Sequence, residues 1–467
     1  MGKRRKHARQ STMWVATTDL PKSAGHPFYE RLNRVLVDAG FDAFVEAECA
    51  PFYADGIGRP GLAPGRYFRL LLLGYFEGLD SERAIAWRAA DSLSIRHFLD
   101  FALEEAPPDH STLSRTRRLI DVETHQGVFT WVLQRLADAD LVQGHTLGID
   151  ATTLEANAAM RSIVRRDTGD AYEAWLIRLA EASGITTPTR AELARFDRKR
   201  KKKGSNDDWT HPHDPDAKIT KMKDGRTHLA HTAEHAVDLE TGAIVGVTVQ
   251  DADDGGTTTM AETLIAAADH LAAIEGTAGI TEVVGDKGYH SNDTMVALAE
   301  QGIRSYVSEP DRGRRHWTGK DKAAARHAVS ANRRRIRGNR GQQLLRQRGE
   351  LVERPHAHLY DTGGMRRVHL RGHANILKRL LVHVCGANLG LLMRQLTGVG
   401  TPRSLQGRAT AVFAPLTTAV SRLWTLVALS WVLDAPDRPD SSSIDPRTRC
   451  HEHLSIDLRI RASATGC

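Results

Sequence analysis

Cysteine is scarce and scattered: four residues in a chain of 467, Cys49, Cys385, Cys450 and Cys467, with no Cys-x-x-Cys pair. That excludes a disulfide framework and a cysteine zinc site, and it fits a reducing cytoplasm. No Gly-x-x-x-x-Gly-Lys-Ser/Thr loop occurs, so no nucleotide triphosphate is expected as fuel. Long apolar runs are missing too. Thr410 to Leu433 is broken by Pro415 and Arg422, leaving about ten uninterrupted residues where a membrane span needs roughly twenty, so it reads as a buried or partner-binding helix. The basic start, MGKRRKHARQSTMW, leads into no apolar signal-peptide core, and secretion is not expected.

What the chain does have is length and local positive charge. Its 467 residues suit two or three domains. The net charge of +7 is modest, but the excess gathers in a few segments, which points to a polyanionic partner.

From about residue 26 to 140 the pattern is helical, as in Phe28-Leu32-Leu36 and Tyr67-Leu71-Tyr75. Asp80 and Ser81 are candidate caps for a helix through Ile85 and Trp87, and His110-Ser111-Thr112 for the next. That helix carries Arg115, Arg117 and Arg118, which suit phosphate contacts in a helix-turn-helix module and equally the solvated face of a plain bundle.

Near residue 145 the character changes. HTLGIDATTLEA reads as a β-branched strand ending beside an acidic residue, with Asp150 at its carboxyl end. A basic insertion over about 160–225 follows, with a helix around Trp175 and Leu179, the run Arg198, Lys199, Arg200, Lys201, Lys202, Lys203, and a polar loop. Two arms flanking Glu240-Thr241-Gly242 read as a hairpin. A helix with cap-like Thr257 to Thr259 comes next, then the short strand TEVVG ending at Asp286, a helix, the strand IRSYVS, and a later helix carrying Glu350 and Glu353. This order is the ribonuclease H-like topology: an α/β fold with a mixed five-stranded sheet flanked by helices, preceded by an all-helical domain. The expected domains are 1–140, helical and DNA-binding; 141–400, catalytic; and 401–467, a helical segment with a Pro-, Ser- and Asp-rich disordered tail.

Two aspartates at the carboxyl ends of neighbouring strands and one helix-borne glutamate can converge on a pair of divalent ions. Such a pair activates one oxygen and stabilises another in phosphodiester chemistry. The rival acidic cluster Asp251, Asp253 and Asp254 adjoins Gly255 and Gly256 and reads better as a turn. His211-x-His213 and His451-x-His453 lack companions for a four-ligand zinc set.

GIDATTLEANAA, VVGDKGYHSND and ELVERPHAHLYDTGGMRR resemble, in order and character, the three acidic motifs of DDE transposases of bacterial insertion sequences. Residues 52 to 119 resemble the helical domain these enzymes carry at the N-terminus, and the likeness spans about 50 to 395. It implies Asp150, Asp286 and Glu353 as catalytic metal ligands, two Mg2+ ions with Mn2+ as a substitute, and cutting at element ends followed by joining of the freed 3′ hydroxyl to target DNA. The partners it implies are double-stranded DNA, both terminal inverted repeats and target, and a second copy when assembled on DNA, in the bacterial cytoplasm with the nucleoid. Glu350 is the rival third acid, one helical turn away. Two departures stand out: the family's aromatic residue three past the glutamate is His356, and its basic residue seven past is Tyr360. They keep open a catalytically inactive DNA-binding derivative acting as a repressor, beside a nuclease of the same fold. Lys287 and Tyr289 are candidates to position a phosphate, as are Arg354, Arg366 and Arg367. The runs Arg333, Arg334, Arg335 and Arg312, Arg314, Arg315, with the lysine run, are expected to track phosphates.

Overall fold

The computed structural model describes residues 25–54, 61–200, 204–222, 225–277, 279–311, 313, 317 and 322–405. The expected helix at 410–433, the tail, His451 and His453 lie outside them, as do Lys201, Lys202, Lys203, Arg312, Arg314 and Arg315.

The first part is helical: α1 (Pro27–Asp38), α2 (Phe41–Cys49), α3 (Pro64–Glu77), α4 (Glu82–Asp91), α5 (Leu93–Phe98), α6 (His110–Leu119) and α7 (Val122–Ala137). In α1 the four-residue spacing of Phe28, Leu32 and Leu36 gives one buried stripe. α3 is buried nearly all round, from Tyr67 and Phe68 to Tyr75 and Phe76, which marks it as the central helix. Ser81 caps α4 by accepting from the Ala84 N–H. The cap of α6 is Asp109, one residue before the expected His110, because its carboxylate accepts from the Ser111 N–H at 2.8 Å.

The sheet then forms from β1 (Thr146–Glu155), and after the insertion from β4 (Lys218–Lys221), β5 (Thr227–Asp238), β6 (Ile244–Asp251), β7 (Glu282–Gly285) and β8 (Arg304–Val307). The insertion supplies the short strands β2 (Val164–Arg165) and β3 (Trp209–Thr210), which pair with each other, and α8 (Tyr172–Ala182) and α9 (Arg190–Lys199). Helices α10 (Gly256–Ala272), α11 (Asn292–Glu300), α12 (Ala323–Arg337), α13 (Asn339–His356) and α14 (His373–Thr397) complete the order. β7 and β8 run parallel to β1, whereas β5 is antiparallel to β1 and β6 to β5. This is the ribonuclease H-like sheet β6-β5-β1-β7-β8, with the short β4 beside β6 on the outer edge of β5 as a sixth strand. The β5–β6 hairpin turns where expected, and Gly242, at φ +82, takes the left-handed position a side chain disfavours. α10 is capped at Gly255 rather than by Thr257 to Thr259.

Buried asparagines close both edges of the sheet. Asn388 of α14 donates to the Ile244 carbonyl at 2.8 Å and accepts from its N–H at 3.0 Å. Asn332 of α12 does the same for Val307, at 2.8 and 3.0 Å. Edge backbone groups that would otherwise be buried without partners are thereby satisfied by flanking helices. α14 packs on α3, α7 and β6, so the helical part and the sheet share one core. The segment His373–Leu405 is long and apolar enough to cross a membrane, but its apolar window is 83% buried within the protein, as befits a core helix.

The insertion is more ordered than a polar loop. Trp209, Ile163, Ala156, Ala217 and Leu229 form one small core, Leu176, Ala180 and Leu193 another. Thr189 and Glu192 make a reciprocal capping box on α9.

Candidate active site at the ends of two parallel strands

Register brings the two aspartates together. Gly148 of β1 sits beside Val284 of β7. Two residues further along the chain come Asp150, inside β1 rather than at its expected carboxyl end, and Asp286, just past the end of β7, on neighbouring strands about 4.8 Å apart. Both sit at the carboxyl edge of the parallel part of the sheet.

Each carboxylate is held in a definite way. Asp286 Oδ1 accepts from the Gly288 N–H at 2.7 Å and so caps the 3-10 turn Lys287–Tyr289. Asp150 Oδ1 lies 2.9 Å from Arg348 Nη2, and Asp286 Oδ2 lies 4.0 Å from the same nitrogen. One guanidinium therefore spans both acids. Arg348 Nε also donates to the Ile149 carbonyl at 3.1 Å, which ties the cation to the strand that carries Asp150.

Helix α13 presents Arg348, Val352 and His356 to the sheet at four-residue spacing. Val352 is buried close against Gly148, and His356 Nδ1 lies 3.7 Å from Asp150 Oδ2. At 3.6 residues per turn Glu353 points about 100° from Val352, beside that face, and Glu350 about 160°, away from it. Both glutamates are exposed. Among the described residues no three His, Cys, Asp or Glu side chains converge closely enough to hold one ion, so Glu353 stands apart from the aspartate pair. α13 carries Pro355 in its last turn, and a π-helical turn, Ala357–Thr362, follows at once. Proline offers no N–H to the carbonyl four residues back, and the backbone widens directly after it.

Behind His356 lies a buried aromatic cluster. The Tyr360 hydroxyl and His235 Nε2 are 3.0 Å apart, and the His235 ring is 4.9 Å from that of His356. Burial holds His235 well below the usual histidine range and raises the Tyr360 hydroxyl well above its own. A neutral imidazole and a protonated hydroxyl therefore share this hydrogen bond. Tyr360, fully buried, cannot take the place of a phosphate-contacting base.

On the opposite face of the sheet, the buried Glu234 carboxylate accepts from Thr259 at 2.8 Å, Thr263 at 2.5 Å and Tyr289 at 2.9 Å. Burial raises its pKa, against the hydrogen bonds that lower it. Tyr289, 3% exposed, is thus a tie between the Asp286 turn and β5. That placement corrects its expected role as a phosphate contact.

The basic candidates divide. Arg117 is buried against Glu82, with its Nε on Asn375, and so faces inward. Arg115 and Arg118 are exposed on α6. Arg333 pairs bidentately with Glu309 at 2.5 and 2.8 Å, and Arg335 donates to Ser305 twice at 2.9 Å. Arg334 is exposed and shares an open concavity with Lys322, Arg326, Arg337 and Trp317. Arg340 is bound to Glu282, a buried acid that also receives Arg304, Tyr306 and Thr146. In the insertion Arg198 and Lys199 are exposed, while Arg200 stacks 4.4 Å over Trp175 and pairs with Asp197. Lys287 is exposed directly after Asp286, whereas Arg354, four residues past Glu350 on the outward stripe of α13, lines a cleft with Thr241, Gly242 and Asn388. Arg366 reaches Thr152 at 3.3 Å and pairs with Asp361, and Arg367 lies 3.5 Å from Glu155, so both flank the β1 end beyond Asp150. The acidic cluster is a turn: Asp251 pairs with Lys218, and the Asp254 N–H donates to the Asp251 carbonyl.

Two adjacent, hard carboxylates bridged by a side-chain cation are a donor set that suits a divalent metal. Family models match the chain twice: a transposase domain (DUF772) over residues 18–119 and a transposase DDE domain over residues 196–389. The chain belongs to the DDE-type transposases. The DDE match contains Asp286 and Glu353 but begins after β1, so the place of Asp150 in this transposase rests on strand register. No curated protein matches the sequence. A DDE domain makes the transposase a polynucleotidyl transferase that depends on a divalent metal and acts on DNA. Sequence reasoning missed Arg348 and Glu234. Arg348 falls one turn before Val352 on the inward stripe of α13, a signal open to a helical-wheel reading.

Proposed function

We propose that the transposase binds the terminal repeats of an insertion sequence, cleaves there and joins the freed 3′ hydroxyl to target DNA. The observation that carries this reading is the placement of Asp150 and Asp286 together where the parallel pairing of β1 and β7 ends, with one cation spanning them. Asp150, Asp286 and Glu353 would hold two Mg2+ ions, which supply Lewis acidity at the attacking and leaving oxygens. Asp150 and Asp286 fix two ligand positions through the strands. Glu353, exposed beside the inward face of α13, would turn toward them to complete the set. Lys287, Arg366 and Arg367 flank the acids and orient the phosphodiester backbone, and Arg354, on the outward stripe of α13, is a more distant phosphate contact. Arg115, Arg118, Arg198, Lys199, Arg334 and Arg337 hold flanking duplex through phosphates. Assembly on paired ends as a homodimer completes the reading.

The test uses duplexes carrying the inverted repeats that bracket the coding region, with Mg2+. Wild-type protein should nick at the repeat boundary and link the 3′ end covalently to a second duplex. Asp150→Asn, Asp286→Asn and Glu353→Gln should each bind the ends yet lose cleavage. Hydrolysis without joining would favour a nuclease. The separation of Glu353 from the aspartates favours one other reading, a DNA-binding repressor without catalysis, which predicts end binding and no nicking by wild-type protein.

A further inference from the structure

Two carboxylates side by side at strand ends repel each other, and a cation between them relieves that repulsion. In this protein the cation is a side chain. Arg348 reaches Asp150 at 2.9 Å and Asp286 at 4.0 Å, with its stem packed along α13 and its side chain only 15% exposed. Its Nε–H is occupied by the Ile149 carbonyl, which aims the Nη2 end at the acids. The guanidinium therefore occupies the region between the carboxylates that a divalent ion also needs. A positive head within hydrogen-bond range of an Asp150 oxygen both competes for that oxygen and repels an arriving ion.

From this geometry we propose that Arg348 is the counter-cation of the metal-free site, and that divalent-ion binding displaces its guanidinium from Asp150 and Asp286. The proposal rests on the reading of those two aspartates as metal ligands. Arg348 is in this sense a positioning residue: it keeps the acids paired and the α13 face docked before loading, and it sets how tightly the site takes its metal without DNA. Replacement of its head by a neutral group lifts the competition. Lysine, shorter and without the fork, keeps the charge but loses the Ile149 anchor.

The test is Mn2+ titration of the full chain without DNA, followed by electron paramagnetic resonance. Arg348→Gln should bind Mn2+ at least tenfold more tightly than wild type, and Arg348→Lys should fall near wild type. Asp286→Asn in the Arg348→Gln background should remove the gain. A merely structural arginine would lower the unfolding midpoint and leave Mn2+ affinity unchanged or weaker, and that result overturns the proposal. Wild-type protein gives a second readout that does not depend on a variant folding. Phenylglyoxal modification of Arg348, read by peptide mass spectrometry, should rise when Mn2+ is added; no change, or protection, contradicts displacement. If Asp286→Asn alone leaves Mn2+ binding intact, the metal reading of the pair falls and the proposal with it. If that variant abolishes binding but Arg348→Gln does not tighten it, only the role of Arg348 is refuted.

Discussion

Replacing Tyr289 by phenylalanine separates a structural role from a DNA-contacting one. The hydroxyl donates at 2.9 Å to Glu234 Oε1, which also accepts from Thr259, while Thr263 donates to Oε2 at 2.5 Å. The ring packs against Gly256 and Gly285, contacts that phenylalanine keeps. What is lost is one hydrogen bond to a buried carboxyl group with no solvent to replace it, worth about 1.5–3 kcal/mol. Urea unfolding should show that loss with an unchanged denaturant slope. Thr259→Val removes a second donor to the same oxygen, so the double variant should deviate from additivity by about 0.5–3 kcal/mol. DNA affinity at fixed salt should hardly move. The reasoning is refuted if Tyr289→Phe keeps its stability within about 0.5 kcal/mol while DNA binding weakens and its salt slope falls.

Four further outcomes are expected. Burial holds His125 and His270 down to about 4, and His235 and His383 well below the usual range, so these side chains fold neutral. The unfolded chain binds their protons first; stability should therefore be level above about pH 6.5 and fall below it, by about 1.4 kcal/mol per pH unit for each group, and chemical unfolding at pH 7 and pH 5 measures the difference. Asn332→Ala strips the β8 edge of its buried partner at Val307; leaving an N–H and a carbonyl unpaired should cost about 2–4 kcal/mol in a urea titration. Neutralising Arg326, Arg334 and Arg337 together should flatten the log–log salt dependence of DNA binding by about 3 units. Arg333→Gln and Arg335→Gln, whose partners are Glu309 and Ser305, should instead lower the unfolding midpoint with little change in that slope.

Local signals made some of this fold readable. β1 and β7 announce themselves as β-branched or valine-rich runs, although β1 continues through Asp150 to Glu155 where only β7 stops at its aspartate, and Glu240-Thr241-Gly242 marks the hairpin because a left-handed residue is needed there. The pairing of Asp150 with Asp286 followed from putting both at the carboxyl ends of neighbouring parallel strands. Long-range partners were not readable. The run from Arg333 to Arg340 reads as one basic tract, yet Glu309 and Glu282, distant in sequence, take Arg333 and Arg340. Arg117 looks like its neighbours on α6 until helix packing turns it toward Glu82. Tyr289 follows the acid as a polar turn residue would, and only its burial beside Glu234 shows that it faces inward. The insertion hid its small cores because Ile163, Trp209 and Leu229 are widely spaced singles rather than a periodic run.

Anomalous diffraction at the manganese edge from the DNA-bound protein tests the central claim directly. The expected result is an ion within about 2.2 Å of a carboxylate oxygen from both Asp150 and Asp286, with Glu353 turned in and Arg348 withdrawn. Manganese bound elsewhere, or none between the two aspartates while the guanidinium still bridges them, contradicts it.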